Sequence, residues 1–127
     1  MKLFQYILRL KYLKKAKELL ADKDKFKELI SSVTDKINKE NLKNEADKLK
    51  DLVSLAMDYI KGDYKDISKR NIIYLIIALL YFLNPLDFIP DIILGLGFLD
   101  DFTVITFIYG KINHEVIKYR QWKDKKD

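Results

Sequence analysis

Apolar residues recur with helical spacing in two stretches of the first half of the chain. In residues 24–37 the apolar positions fall at i, i+3, i+4, i+7 and i+11, and these are Phe26, Leu29, Ile30, Val33 and Ile37. In residues 42–60 they alternate steps of four and three, and these are Leu42, Ala46, Leu49, Val53, Ala56 and Ile60. This spacing puts one apolar stripe along a helix and predicts two amphipathic helices, joined as an antiparallel scaffold pair by a short turn at residues 38–41. Candidate end signals are the N-caps Asp22, Asp24 and Asn41 and the left-handed C-terminal stop Gly62.

A different pattern begins after Ser68, which can cap a third helix. Twelve uninterrupted apolar residues run from Ile72 to Leu83. As a helix they cover about 18 Å, against about 30 Å for the hydrocarbon core of a bilayer, so the run alone is too short to span. A Pro-rich segment follows, and a last helix is expected from near Asp100 into the Lys-rich tail. Gly110 in its middle permits a close helix contact or a slight bend.

These elements predict an all-α fold. With 127 residues, we expect residues 1–127 to form a single domain, a small bundle of four to five helices. It combines the amphipathic helical pair with an apolar helix, a Pro-rich turn and a helix, and this apolar hairpin occupies residues 70–110.

Charge is distributed very unevenly around that hairpin. The net charge of +5 divides into +6 for residues 1–70, −4 for residues 71–110 and +3 for residues 111–127, and the middle block contains no Lys or Arg. The basic residues are 21 Lys and three Arg, interleaved with acids. Nucleic-acid binding is not expected, because it favours a one-signed basic stripe with Arg and exposed aromatic residues.

Composition argues against several kinds of catalytic site. The chain has no Cys and a single His, which removes thiol nucleophiles and Cys/His zinc sites. It contains no phosphate-binding glycine loop and no nucleophile beside a base. We therefore expect no enzymatic activity, no cofactor and no small-molecule substrate. The sequence leaves a homo-oligomer open.

The most distinctive motif lies in the cation-free block, where four carboxylates occur within fifteen residues. One interpretation makes them helix caps, since Asp follows each Pro at a position that faces free N–H groups. The other makes them a Mg²⁺ or Ca²⁺ site, because these ions prefer oxygen ligands; the metal candidates are Asp87, Asp91, Asp100 and Asp101. The full motif comprises Tyr81, Pro85, Asp87, Ile89, Pro90, Asp91, Gly97, Asp100 and Asp101.

This motif closely resembles that of the YkvA-like family, a bacterial domain of unknown function. The family pattern is Tyr, then Pro-x-Asp-x-Ile-Pro-Asp, then Gly-x-x-Asp-Asp, and the resemblance covers about residues 70–110. This chain departs from it with Asn84 where Ser is usual, and with Leu94-Gly95 in a segment that often contains another Pro. The resemblance implies a small helical protein, often membrane-associated, with no defined activity.

Two functions follow from these observations. The first is a non-enzymatic protein associated with a membrane surface or a membrane protein through the 71–110 hairpin, with both termini in the cytoplasm because both flanks are basic. An aspartate at mid-bilayer costs about 2.5–3.5 kcal/mol, so a re-entrant or interfacial hairpin fits better than two spans. The alternative is a soluble cytoplasmic helical bundle that acts as a protein-interaction module, with the twelve-residue run as its core helix.

Overall fold

The computed structural model describes residues 13–39, 44–83 and 103–126. These three stretches contain six helices and no strand, which confirms the predicted all-α class. In chain order the helices are α1 (residues 13–21), α2 (Lys23–Lys39), α3 (Asn44–Lys61), α4 (Lys69–Leu83), α5 (Thr103–Lys111) and α6 (Asn113–Lys126). The sixth helix arises because the predicted last helix is divided in two.

The amphipathic pair forms α2 and α3, which pack against each other. Asp22 is the N-cap of α2, because its Oδ1 accepts a hydrogen bond from the Lys25 N–H at 3.2 Å. The predicted stripe of α3 is buried from Ala46 to Ile60 except for Val53, which is half-buried. All five predicted core positions of α2 are buried, namely Phe26, Leu29, Ile30, Val33 and Ile37. Helix α2 continues to Lys39, so the turn starts later than predicted; Leu42 and Asn41 lie outside the described residues.

The predicted end of α3 and start of α4 are both confirmed. Gly62 has a φ of 82°, and its N–H donates to the Tyr59 carbonyl at 3.1 Å while the Asp63 N–H donates to the Asp58 carbonyl at 3.0 Å. This pair of bonds is the Schellman arrangement, which satisfies carbonyls that the helix leaves free. Ser68 Oγ then accepts from the Asn71 N–H at 3.2 Å and caps α4.

Helix α4 is the centre of the bundle. Ten of its 15 residues are buried, and α2, α3 and α5 pack around it. Its half-buried side chains are Ile73, Tyr74 and Leu83. The apolar run therefore packs within protein along most of its surface. Among the described helices, none combines the length and the hydropathy that crossing a bilayer requires.

The last helix is interrupted at Ile112, two residues after Gly110, where we expect a close helix contact or a slight bend. Gly110 is exposed, and a side chain added there would meet no atom of the described residues within 4 Å, so the expected close contact is not found among them. Ile112 is fully buried, and its N–H still donates to the Ile108 carbonyl at 3.1 Å. The break thus accompanies insertion of Ile112 into the core, while α6 continues the predicted stripe with Val116 and Tyr119, both buried.

Candidate functional site

The acidic motif begins at the C-terminal end of α4. Tyr81 lies on the last turn of that helix, and its side chain is only 1% exposed within the core. The remaining motif residues lie outside the described residues, and these are Pro85, Asp87, Ile89, Pro90, Asp91, Gly97, Asp100 and Asp101. The metal interpretation concerns four of them. Within the part of the chain that the structure describes, no group of three or more His, Cys, Asp or Glu could hold a metal ion.

A cation from another helix lies at this end of α4. Lys36 of α2 donates its Nζ to the Phe82 carbonyl at 2.6 Å, and the same ammonium lies 4.7 Å from the centre of the Phe82 ring. The last carbonyls of a helix carry partial negative charge and lack partners within the helix, so an ammonium there is stabilising. Residues 71–110 contain no Lys or Arg, but Lys36 of α2 therefore places a positive charge at the end of α4 where the acidic motif starts.

The opposite end of α4 is held by a buried carboxylate of α6. Glu115 is 4% exposed, and its Oε2 accepts hydrogen bonds from Asn71 Nδ2 at 3.0 Å and from the Ser68 N–H at 3.3 Å. Its Oε1 lies 3.0 Å from Lys118 Nζ, which is also 3.4 Å from Asp66. This Glu115 cluster ties the start of α4 to α6.

The Glu115 cluster favours the ionised carboxylate. Burial alone raises the pKa of Glu115, but the hydrogen bonds from Asn71, Lys118 and Ser68 outweigh it and hold the pKa below its ordinary value of 4.5. The hydrogen bond to Glu115 raises the pKa of Lys118. Both groups are therefore charged near neutral pH, and the carboxylate acts as an anchor.

A second cluster joins α6 to α3 through Tyr119, which is 2% exposed. Its hydroxyl donates to Asp58 Oδ2 at 2.5 Å and shares a 2.5 Å hydrogen bond with Ser54 Oγ. Lys123 Nζ donates to the Tyr119 hydroxyl at 3.1 Å and to Ser54 Oγ at 2.9 Å, and it lies 3.4 Å from Asp58 Oδ2. These four side chains form the Tyr119 cluster.

The Tyr119 cluster combines Ser, Tyr and Lys, which are groups that some enzymes use to move protons. Here burial raises the pKa of Tyr119, and the hydrogen bond to Asp58 raises it further. The contact with Tyr119 raises the pKa of Lys123. Tyrosine stays neutral and lysine stays charged near pH 7, so this geometry suits a structural clamp better than proton transfer.

A third polar contact is centred on Asp51 of α3. Its Oδ2 pairs with the Arg120 guanidinium and accepts a hydrogen bond from the Tyr109 hydroxyl at 3.2 Å. Burial raises the pKa of Tyr109, and the neighbouring Asp51 raises it further. Asp51 thus links α3 to both α5 and α6.

Comparison with known proteins points to the stretch that carries the motif. The model of a family described as "Protein of unknown function (DUF1232)" matches residues 71–107. A protein of Bacillus subtilis (strain 168), described as "Uncharacterized membrane protein YkvA", is 41% identical over 69 residues. We refer to residues 71–107, which match this family model, as the YkvA-like segment. The resemblance that we inferred from the motif is thereby confirmed, and the family description assigns no function.

The match with the YkvA relative is partial. It covers 54% of this chain and 65% of the relative, so the chain spans less than two thirds of that protein's length. No solved structure matches this chain.

The YkvA-like segment begins at Asn71, the residue whose side chain bonds to Glu115. Its first helix is held at one end by the Glu115 cluster and at the other by Lys36. Its described part also includes residues 103–107, the start of α5, and α5 packs on α4. Residues outside the YkvA-like segment therefore fix the position of the helix from which the acidic motif starts.

The predicted scaffold role of α3 did not include its polar contacts with Tyr119, Lys123 and Arg120 of α6. Asp51, Ser54 and Asp58 follow steps of three and four, so they share a face of α3, and Tyr119 and Lys123 are four apart on α6. This polar stripe beside an apolar stripe was the available signal. It did not reveal the partner helix, because the contacts join residues 61–69 positions apart.

Proposed function

We propose that this chain is a non-enzymatic, membrane-associated helical protein in which the described bundle stays outside the hydrocarbon and residues 84–102 contact the membrane. The observation that carries this arrangement is the burial of α4 by α2, α3 and α5. A helix whose sides are occupied by protein has little surface left for lipid. Within the cation-free block, the apolar residues available for a membrane are then those that follow α4.

The sequence of residues 84–102 suits an interfacial location. Ten of these 19 residues are Leu, Ile or Phe, four are Asp, and none is Lys or Arg. Each aspartate would cost about 2.5–3.5 kcal/mol at mid-bilayer, so we expect the carboxylates to lie at the boundary with water. The relative described as a membrane protein supports the association, and the basic flanks support cytoplasmic termini.

The experiment is fractionation of cells that produce the untagged full chain, followed by flotation of the purified protein with vesicles. Membrane association predicts that the chain sediments with membranes without detergent and floats with vesicles. The variant Phe98→Ser/Leu99→Ser removes two apolar side chains, each worth about 1.5–3 kcal/mol on burial, and should lower the partition coefficient onto vesicles at least about a hundred-fold. Ile117→Ser is the matched control, because Ile117 is 47% exposed on α6.

A second candidate is a cytoplasmic bundle that acts as a protein-interaction module. The same burial of α4 favours it, because a twelve-residue apolar run is accounted for by a protein core. Monodisperse full chain in the supernatant, with no flotation on neutral or anionic vesicles, would support this candidate and contradict membrane association.

A further inference from the structure

A groove of about 810 Å³ lies where the end of α1, the end of α3 and the start of α4 meet. Its size falls within the range of small-ligand sites, which is about 300–1,000 Å³. All of its charged lining residues are basic, and these are Lys17, Lys23, Lys61, Lys65 and Lys69. No carboxylate from the described part of the chain lines it. We refer to this site as the lysine groove.

Among the described residues, none of the five groove lysines forms an ion pair within 4.0 Å. Of the acids close to them in sequence, Asp22 caps α2 and Asp66 pairs with Lys118, while the others, Glu18, Asp24 and Asp63, are exposed. Lys69 also stands in the first turn of α4, where the helix dipole adds positive potential. The groove therefore concentrates uncompensated positive charge.

The remaining lining of the groove is largely apolar, and we refer to it as the apolar floor. Leu20, Tyr59 and Ile73 are half-buried and line it together with the buried Ile60. A free inorganic anion would satisfy the lysines but would leave this apolar floor in water. A ligand with an anionic head and an apolar portion uses both parts, because lysine stems cover apolar surface while their charges reach outward.

We propose that the lysine groove seats the phosphate headgroup of an anionic phospholipid at the membrane interface, with the glycerol backbone and the ester-linked start of the acyl chains on the apolar floor. This inference rests on the proposed membrane association and adds the lipid class that it favours. A basic side chain near an anionic membrane surface contributes about a five-fold gain in binding. Three groove lysines together should contribute about a hundred-fold.

The first test measures binding of the full chain to vesicles of phosphatidylcholine with and without phosphatidylglycerol. The variant Lys17→Gln/Lys61→Gln/Lys65→Gln should bind the anionic vesicles about a hundred-fold more weakly. The matched control removes three exposed lysines that do not line the groove, Lys27→Gln/Lys50→Gln/Lys125→Gln, and should lose less than ten-fold. Equal losses in the two variants would overturn the lysine groove and leave membrane association standing.

The second test distinguishes a lipid from a free anion. Short-chain phosphatidylglycerol below its micelle concentration should shift the amide resonances of Leu20, Gly62 and Ile73, whereas the same concentration of inorganic phosphate should not. Equal shifts with both, or none with either, would overturn the proposal. If the wild type does not bind vesicles while the short-chain lipid shifts the amide resonances of the groove residues, the proposed membrane association is wrong and the lysine groove is supported.

Discussion

Two buried tyrosines in contact with each other differ in what their hydroxyls bind, and this difference predicts opposite effects of the same substitution. Tyr64 and Tyr119 have ring centroids 5.2 Å apart, and both are less than 5% exposed. The Tyr119 hydroxyl contacts Asp58, Ser54 and Lys123. The Tyr64 hydroxyl is buried and has no hydrogen-bond partner among the described residues.

Tyr119→Phe removes the donor to an ionised carboxylate. A hydrogen bond to a charged group contributes about 1.5–3 kcal/mol, and Asp58 would retain only Lys123 at 3.4 Å. We therefore expect a loss of about 2–3 kcal/mol. Tyr64→Phe removes a buried hydroxyl that pays its desolvation cost without a partner, so it should be neutral or stabilise by up to about 1 kcal/mol.

The assay is thermal denaturation followed by the fluorescence of Trp122, the single tryptophan. Its ring lies 5.0 Å from that of Tyr64 and 5.9 Å from that of Tyr119, so it reports on the packing at issue. Tyr119→Phe should lower Tm by about 6–12 °C, while Tyr64→Phe should leave it unchanged or raise it. Equal destabilisation by the two substitutions would refute the assignment of Tyr119 as a polar clamp.

Three further outcomes are expected. Because the pKa of Glu115 is lowered on folding, its ionisation stabilises the protein above pH 4.5, and this contribution is lost as pH falls through the folded pKa. The difference in the free energy of unfolding between wild type and Glu115→Gln, measured by urea titration, should therefore decrease below pH 4.5. A difference that does not change with pH would contradict the linkage. Leu75→Ala, at a fully buried position of α4, should cost about 2–5 kcal/mol whereas Ile117→Ala should cost less than about 1, and similar losses in thermal melts would argue against α4 as the core. Mg²⁺ and Ca²⁺ should produce neither heat in calorimetric titration nor a change in Tm; a Tm rise that Asp87→Asn/Asp91→Asn abolishes would instead support a cation site in the acidic motif.

The helices that were predictable from sequence are those whose signals are local. The stripe from Phe26 to Ile37 and the caps at Ser68 and Gly62 depend on residues within one or two turns, and the structure confirms them. The break at Ile112 was not predictable in this way. Gly110 has a weaker helix propensity than Ile112, yet the helix is interrupted at Ile112, whose side chain is buried in the core.

The polar clusters were beyond local reasoning because they join distant parts of the chain. From the sequence alone, Glu115 is expected to be a surface residue of a charged helix. It is buried because it bonds to Asn71 at the start of α4, 44 positions earlier in the chain. The twelve-residue run of α4 posed the same difficulty, since its length fits both a core helix and part of a membrane hairpin. Packing by three neighbouring helices decides its surroundings in the described bundle.

In the proposed arrangement, α4 stays in the protein core while residues 84–102 contact lipid. The chain has no cysteine, so Tyr74→Cys and Phe98→Cys each provide a single site for a bimane label. In vesicles of phosphatidylcholine alone, part of it nitroxide-bearing, the lysine groove beside Ile73 has no anionic lipid to bind. We then expect strong quenching of the label at residue 98 and no quenching at residue 74, a half-buried position of α4. Quenching at residue 74, or its absence at residue 98, would contradict this arrangement.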